Sequence, residues 1–328
     1  MKNEKEKSLK PNAFTVIGHI RLRPGMYVAQ NPEKVIFQEL LSNAIDEFIV
    51  GKVSNIYINH RGNRITIRDN GSGMSSTQMK QWIQKLFPSK NNNTQPYTLA
   101  RAGLGLPIAI ALSSEFKATT YQADTTITLA ATHGKFIPIQ NEPNKTNIKS
   151  GFEVTVELDN TLFPDAKISA TFVREEVKKA VCLYHGLTIF LNGEKMTGTL
   201  KDLAEEDVKS VEYFGKLLDF AVVRQSSGCV NFIRSFVNGS ETPDGGIHTE
   251  LIYRMLAEEF SQMPIGLFSD FRVILHLHIP LEGFLLSLIQ LRLDCDYHNP
   301  PPSLFAIENE LREALRSPAI KGVIEGWK

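Results

Sequence analysis

A strand that ends at Asp69 and runs directly into Gly71 and Gly73 constrains this chain more than any other segment. Alternating isoleucines on both sides of a turn at Gly62 predict the hairpin from which this aspartate emerges. A carboxylate placed there can accept a hydrogen bond from an amine, and two glycines allow the backbone to approach a flat ring or a phosphate closely. Taken alone, the pattern is more typical of an ordinary turn, so its meaning depends on its neighbours.

The segment upstream of the hairpin, residues 31–51, predicts an amphipathic helix. Its apolar side chains recur with the helical period, and it ends at a glycine. Glu39, Asn43 and Asp46 stand at i, i+4 and i+7, which places three polar side chains on one stripe of a mostly apolar helix. Such a stripe is either a solvated face or a face reserved for a polar ligand.

A third element follows further along the chain, in the small-residue segment 102–114, where a loop with Gly103, Leu104 and Gly105 is predicted to open a buried helix. Backbone amides at a helix start, reinforced by the helix dipole, bind anions readily. A tight packing turn would use the same glycines. Together, however, the polar stripe, the strand-ending aspartate and this helix start indicate a nucleotide-binding site, and the combination is far more specific than any one part.

The length of 328 residues exceeds one core of ordinary size, so we expect two domains. Helix and strand patterns mix in the first half, which predicts an α+β domain, and a weakly patterned acidic segment at 197–211 is a candidate linker. We therefore assign residues 1–200 and 201–328 to separate domains. In the second, His276 and His278 alternate on an apolar strand, which favours strand residues over metal ligands.

Charge and hydropathy exclude several classes of protein. Thirty-six basic residues balance thirty-six acidic ones, so the chain has no global positive field for non-specific DNA binding. No stretch approaches the roughly 18 apolar residues of a membrane span, and the N-terminus lacks the apolar core of a signal peptide. We expect a cytoplasmic protein with no membrane partner.

Several strings, in order and spacing over nearly the whole chain, resemble the B subunits of the type IIA DNA topoisomerases, gyrase and topoisomerase IV. They are Arg23-Pro-Gly-Met-Tyr27, Glu39-Leu-Leu-Ser-Asn43-Ala-Ile-Asp46-Glu47, Asp69-Asn-Gly71-Ser-Gly73, Gly103-Leu-Gly105, Ser235-Phe-Val-Asn238 and Asp244-Gly-Gly-Ile-His248. The resemblance implies an α+β fold: a GHKL-type ATPase sandwich, a mixed sheet with helices on one face, with an N-terminal arm and an ATP lid. A transducer domain like domain 2 of ribosomal protein S5 would follow.

The resemblance also implies roles for individual residues. Glu39 would be the general base that activates the attacking water, Asn43 would hold Mg²⁺ through its side-chain oxygen, and Asp69 would read the adenine amine of ATP. The other implied nucleotide contacts are Asp46, Gly71, Gly73, Met74, Lys90, Gly103, Leu104 and Gly105. These residue types suit ATP and Mg²⁺, because phosphoryl transfer depends mainly on positioning and charge neutralisation.

The implied activity is that of an ATP-operated clamp. Two copies would meet when nucleotide binds, capture a DNA segment and work with a topoisomerase A-type subunit, which supplies the DNA cleavage that is not expected of this chain. The RPGMY string and the DGG-x-H turn disfavour other GHKL proteins, such as mismatch-repair clamps, chaperones and sensor kinases.

Departures from the family pattern leave a second hypothesis open. The phosphate loop reads ARAGLG at residues 100–105 where the family has GLHGVG, and Phe152 replaces a threonine. Ser287 and Ile289 stand where the family has a glutamine and a phosphate-sensing lysine. Arg292 could replace that lysine only if the loop changes register. The alternative is a degenerate nucleotide-binding module that dimerises or regulates with slow or no ATP turnover.

Overall fold

The computed structural model describes residues 11–28, 31–85, 105–204, 209–224, 233–261, 271–279, 284–287, 292–295 and 300–326. The chain divides into two compact units. The first contains the described residues up to Val177 and Gly186–Met196, and the second contains Lys178–His185 and the described residues from Thr197 onward. The assignment of 1–200 and 201–328 to an ATPase and a transducer domain stays a prediction.

A mixed sheet forms the centre of the first unit. Its described strands are β1 (Asn55–Arg61), β2 (Arg64–Asp69), β3 (Ser113–Tyr121), β4 (Thr125–Thr132), β5 (Lys135–Pro143), β6 (Gly151–Leu158), β7 (Thr188–Leu191) and β8 (Glu194–Met196). They lie in the order β5-β4-β3-β6-β2-β1-β7-β8, and only the β1–β7 pair is parallel. The alternating isoleucines of β1 and β2 are buried, as expected of strands with one face on the core. The predicted α+β class is confirmed.

Helices supply the other layer of this unit. Within the described residues they are α1 (Pro11–Leu22), α2 (Gly25–Val28), α3 (Pro32–Ile49), α4 (Ser76–Lys85), α5 (Gly105–Leu112) and α6 (Ala170–Leu183), the last of which continues into the second unit. All eight residues of α5 are buried. A helix without a solvated face belongs inside the core, so α5 is packed on all sides in the core of this unit.

The sequence of α3 explains its ends and its orientation. Pro32 starts the helix at a position where its missing N–H is not needed. The helix stops before Gly51, whose φ of 75° suits glycine and whose N–H bonds to the carbonyl of Phe48 at 2.8 Å. Six apolar side chains between these ends are buried, and burial of each of the five larger ones contributes about 1.5 to 3 kcal/mol. The polar stripe therefore faces away from the tightest packing.

Three elements of the first unit are weakly marked in the sequence or end earlier than the sequence pattern indicates. The mostly polar segment after Met74 forms α4, which begins at Ser76 and has only three large apolar residues. The buried helix expected within the segment 102–114 is present as α5, and it ends at Leu112 because Ser113 already opens β3. The strand β5 is likewise absent from the pattern, because most of its side chains are exposed.

The second unit has its own sheet and core. Its described strands are β9 (Ser210–Phe214), β10 (Leu218–Arg224), β11 (Ile233–Val237), β12 (Ser240–Glu241) and β13 (Phe271–Leu277), in the order β12-β11-β13-β10-β9. The helices α7 (Ile247–Glu259), α8 (Pro302–Arg316) and α9 (Pro318–Glu325) contribute to the same apolar core. The expected linker at 197–211 is partly structured, with a short 3-10 helix at Leu200–Ala204 and the start of β9.

A separate hairpin of β14 (Phe284–Ser287) and β15 (Arg292–Cys295) also lies in the second unit.

In the described part of the chain, none of the helices has the length and hydropathy that a membrane-spanning segment requires.

Candidate functional site

Asp69 ends β2 with its side chain buried. Its Oδ1 accepts hydrogen bonds from the backbone N–H of Gly71 at 2.8 Å and of Phe152 at 3.2 Å. No hydrogen bond reaches its Oδ2 from any residue within the described ranges. Burial raises the pKa of this carboxyl, and the two backbone hydrogen bonds only partly oppose that shift. The carboxylate is thus fixed by one oxygen, and the other oxygen remains as an acceptor.

Phe152 takes part in this arrangement through its backbone. Since any non-proline residue donates the same N–H, the phenylalanine that replaces the family's threonine keeps the anchor of Asp69. Phenylalanine at this position therefore changes the side chain beside Asp69, but the backbone hydrogen bond that orients the Asp69 carboxylate is kept.

The two glycines after Asp69 are required by space and by backbone conformation. A Cβ on Gly71 would lie 3.0 Å from Asp69 Oδ1 and 3.2 Å from a methyl group of Val53. Gly73 has a φ of 69°, and a Cβ there would lie 2.5 Å from Thr120 Oγ1. The loop after Asp69 therefore packs closely against the end of β3.

Two residues that the sequence analysis did not single out hold this loop. Asn70 Oδ1 accepts hydrogen bonds from the N–H of Ser54 at 3.0 Å and of Asn55 at 2.9 Å, which ties the loop to the start of β1. Thr120 Oγ1 accepts a hydrogen bond from the N–H of Met74. An asparagine after a strand end signals such a side-chain turn, but nothing in the sequence pairs Met74 with Thr120.

Glu39 meets the start of α5. A Cβ on Gly105 would overlap the Glu39 carboxylate, with the carboxyl carbon only 2.5 Å away. Because Gly105 is the first described residue of α5, the half-buried Glu39 side chain lies at the N-terminal end of this helix, the end that favours negative charge. The structure thus brings together two residues that were predicted for one site from separate motifs.

The polar stripe of α3 connects the two halves of the site. Asn43 and Asp46 follow Glu39 along α3, and all three side chains are half-buried. Further along, the negative charge of Glu47 adds to the effect of burial in raising the pKa of Asp69, so this end of α3 lies near that carboxyl. At 1.5 Å per residue, Glu39 and Glu47 are about 12 Å apart along the axis. The α3 stripe therefore extends from the Gly105 end toward the Asp69 end.

Three predicted contacts, Lys90, Gly103 and Leu104, lie outside the described residues. Met74 is described, and its half-buried position follows Gly73 in the fixed loop.

Asp219, His276 and His278 form a cluster in the second unit whose ligand atoms lie within 4.8 Å of one another. Both nitrogens of His276 are already used, since Nδ1 donates to the Leu183 carbonyl at 3.1 Å and Nε2 accepts from the Gly239 N–H at 3.0 Å. Burial lowers the pKa of His276 well below its usual value, so it is neutral. A metal ion would have to displace a backbone hydrogen bond, which agrees with the interpretation of these histidines as strand residues.

The segment that carries the predicted loss of a lysine is the β14–β15 hairpin. Ser287 pairs directly with Arg292 across the two strands, and Ile289 lies between them, outside the described residues. Gly246 has a φ of 130°, and a Cβ there would collide with the backbone of Leu293. The Leu293 N–H also donates to the Gly245 carbonyl at 3.1 Å. Moving Arg292 along the chain would break these contacts.

Comparison with known proteins agrees with this arrangement. Residues 31–162 match the family of histidine kinase-, DNA gyrase B- and HSP90-like ATPases. The chain is 27% identical over 267 residues to the B subunit of DNA topoisomerase 4 from Borreliella burgdorferi, covering 76% of this chain and 44% of that protein. Identity to its counterpart from Mycoplasma capricolum is 25%, over 70% of this chain and 40% of that protein. The chain thus spans less than half the length of these relatives.

Solved structures show the same fold. The 43K ATPase domain of Thermus thermophilus gyrase B, solved with an aminocoumarin, matches with a TM-score of 0.71 at 18% identity, over 94% of this chain and 93% of that one. The DNA gyrase B protein of Myxococcus xanthus matches with a TM-score of 0.74 at 16% identity, over 95% and 99%. Residues 31–162 therefore carry a histidine kinase-, DNA gyrase B- and HSP90-like ATPase domain, and the chain is similar in sequence to B subunits of DNA topoisomerase 4 and in fold to gyrase B.

Proposed function

We propose that this chain binds ATP with Mg²⁺ and hydrolyses it as the nucleotide-operated clamp of a type IIA topoisomerase. The observation that carries the proposal is the arrangement along α3. One end of the site offers a fixed, buried carboxylate at Asp69, and the other offers Glu39 against the start of α5.

Adenine recognition is assigned to Asp69. Its Oδ1 is held by two backbone amides, so Oδ2 is aimed as an acceptor and matches the exocyclic amine of adenine. Guanine presents a carbonyl at the corresponding position, and a carboxylate facing it would leave two acceptors opposed. Gly71, Gly73 and Met74 are assigned to the wall around the base and sugar, since the crowded loop leaves no room for side chains there.

The triphosphate is assigned to the Gly105 end, with Lys90, Gly103 and Leu104 from the same part of the sequence. Helix-start amides suit phosphate oxygens. Asn43 lies one turn from Glu39 on α3, and its carboxamide oxygen is the type of ligand that Mg²⁺ takes together with phosphate oxygens, so the residues fit the ion. Asp46, one turn further, is assigned to contacts nearer the base. Bound Mg²⁺ would neutralise part of the charge on the phosphates.

Glu39 is assigned as the general base. It would take a proton from a water whose oxygen attacks the γ-phosphorus, while the bond from that phosphorus to the bridging oxygen breaks and ADP leaves. The contact of its carboxylate with Gly105 supports this assignment, because the triphosphate is assigned to the same helix end.

The clamp itself requires a second copy, DNA and an A-type partner. These assignments derive from the relatives named as B subunits of DNA topoisomerase 4, of which the chain spans less than half. Residues 201–328 are assigned as the transducer. Nucleotide that binds the dimer better than the monomer must shift the population toward the dimer.

A slow or inactive nucleotide-binding module is the second candidate. It is favoured by the sequence, in which Ile289 stands where the resembling family has a lysine, and by the pairing of Ser287 with Arg292, which opposes a change of register for Arg292. Binding and dimerisation would remain in such a module, while turnover would be lost.

A titration with a non-hydrolysable ATP analogue and Mg²⁺ tests the proposal, with the matching GTP analogue as control and with the oligomeric state followed by sedimentation. We expect binding of the adenine nucleotide alone, accompanied by dimerisation. Equal affinity for both analogues would remove the assignment of Asp69. A monomer at saturating nucleotide would remove the clamp.

A further inference from the structure

Arg21, near the end of α1, connects three parts of the first unit. Its Nη1 donates to the Ala111 carbonyl at 2.6 Å, and its Nη2 donates to Asp159 Oδ2 at 2.7 Å. Ala111 lies in the last turn of α5, and Asp159 directly follows β6. An early residue of the chain is therefore bonded to the far end of the helix whose first residue, Gly105, contacts Glu39.

Asp159 is a firm anchor for this arginine. Its side chain is fully buried, and its Oδ1 accepts hydrogen bonds from the N–H and the hydroxyl of Thr161 at 3.0 and 2.6 Å. Nδ1 of His133 lies 2.8 Å from Oδ2. Burial by itself would raise the pKa of this carboxyl, but the hydrogen bonds from Thr161, His133 and Arg21 outweigh burial and lower its pKa well below the usual range.

The helix α5 depends on hydrogen-bond donors from other elements, because it has no polar side chains. All its side chains are apolar and buried, so the carbonyls of its last turn must be satisfied by other elements. The Asp159 N–H donates to the Leu112 carbonyl at 3.0 Å. Arg21 Nη1 likewise donates a hydrogen bond to the Ala111 carbonyl. One anchoring aspartate and the arginine bonded to it thus hold the C-terminal end of α5.

Packing fixes Arg21 in turn. Ile17 and Ile20 of α1 are buried. A Cβ on Gly134, which has a φ of 73°, would lie 2.6 Å from Ile17 and 3.1 Å from Arg21 Cδ. The helix α1 therefore rests directly on the turn between β4 and β5, and the arginine has little freedom to move without its partners.

We propose that Arg21 is a positioning residue for the phosphate end of the site. By holding Ala111 and Asp159 together, it fixes α5 along its axis and sets where Gly105 meets the triphosphate and Glu39. A close-packed buried helix moves as one body, so slack at its C-terminal end displaces its N-terminal end. Asp69 belongs to β2 and its loop, which Arg21 does not contact. This inference rests on the proposed ATP-binding function.

The test compares the wild type with Arg21→Met, which keeps the length of the stem without the donors, and with Arg21→Lys, which keeps the charge without the forked geometry. The matched control is Arg174→Met, because Arg174 pairs with Glu194 on the surface of the same unit. Affinities for adenosine and for a non-hydrolysable ATP analogue with Mg²⁺ are measured by calorimetry. The temperature is one at which circular dichroism shows every variant folded.

We expect Arg21→Met to lower the ratio of analogue affinity to adenosine affinity by about tenfold or more, because misplacement by about 1 Å can reduce function 10²-fold. Adenosine affinity and the ratio in Arg174→Met should match the wild type, and Arg21→Lys should fall between. Should Arg21→Met fail to fold, Arg21→Lys decides alone. Equal loss for both ligands, or an unchanged ratio, overturns the inference. A wild type that binds no analogue contradicts the proposed function instead.

Discussion

The carboxylate of Glu39, in the middle of α3, lies directly against Gly105, the first residue of α5. A side chain of any size at position 105 would overlap this carboxylate. The contact places the candidate base at the N-terminal end of α5, the end of a helix that favours negative charge. Predictions for both residues follow from it.

Replacing Glu39 by alanine should slow ATP hydrolysis by about 10² to 10⁴-fold, because a general base contributes that much to proton transfer. Binding of ATP should persist, since Glu39 is assigned to the water and not to the nucleotide. Single-turnover hydrolysis and calorimetry separate the two effects. Turnover at the wild-type rate would remove Glu39 from the mechanism.

Replacing Gly105 by alanine should slow turnover as well, by about tenfold or more, because the added methyl group displaces Glu39. Overpacking should also lower the free energy of unfolding by about 1 to 3 kcal/mol. Gly322→Ala is the control, since a Cβ there meets nothing within 4 Å. If both variants behave alike in urea unfolding and in turnover, the contact between Glu39 and Gly105 has no consequence.

Asp69→Asn should weaken ATP binding by about 1 to 3 kcal/mol, because the amide would present a donor to the adenine amine and leave a buried mismatch. Isothermal titration measures the difference. Unchanged affinity would contradict the adenine assignment while leaving the phosphate end untested by this variant.

The same substitution should change how stability depends on pH. Because burial raises the pKa of Asp69, the folded protein holds this proton more tightly than the unfolded chain. Stability from this group therefore falls as pH rises through the interval between the ordinary value of 3.8 and the raised folded value. Asp69→Asn cannot titrate, so its unfolding free energy relative to wild type should be higher at pH 7 than at pH 3.

Asp159→Asn provides the matched comparison for the pH experiment, with the opposite sign. The pKa of Asp159 is lowered, so its stabilisation is present above its ordinary value and disappears as pH falls toward the folded value. This variant should lose most stability, relative to wild type, at neutral pH. Urea unfolding at both pH values measures the two trends, and trends of the same sign would contradict the assigned burial and bonding.

The choice between an active clamp and a slow module depends on the hairpin. Ile289→Lys should raise the rate of hydrolysis by up to about 10² to 10³-fold, because a single preorganised charge on the transferring phosphate is worth that much. Ground-state affinity should change little, since the charge acts mainly where negative charge develops. If the wild type already turns over quickly and Arg292→Ala abolishes turnover, Arg292 has replaced the lysine and the β14–β15 register differs from the one observed.

Local sequence patterns were sufficient for α3 and for the β1–β2 hairpin. The spacing of Glu39, Asn43 and Asp46 marks a polar face because helical periodicity is a property of adjacent turns. The alternation in β1 and β2 predicts one buried face for the same local reason, and it places Asp69 at the strand end. The α+β class follows from these patterns together.

Sequence patterns were not sufficient for elements with few buried side chains, or where a helix is followed directly by a strand. The helix α4 is short and mostly polar, and β5 is mostly exposed, so neither carries a long apolar pattern. Ser113 ends a run of small residues that reads as one helix, yet it opens β3, because pairing with Leu158 of β6 outweighs local preference there.

The sequence by itself determined which chemical groups the site contains: a strand-ending carboxylate, glycines beside it, a striped helix and a glycine-led helix start. Only the tertiary structure decided how they meet, through the Asp69 bond to Phe152, the Glu39 contact with Gly105 and the Arg21 bond to Asp159 across 138 positions. Periodicity reports neighbours within a few turns of the same element. Contacts between distant segments depend on how whole elements pack, and that packing is fixed by the complete core.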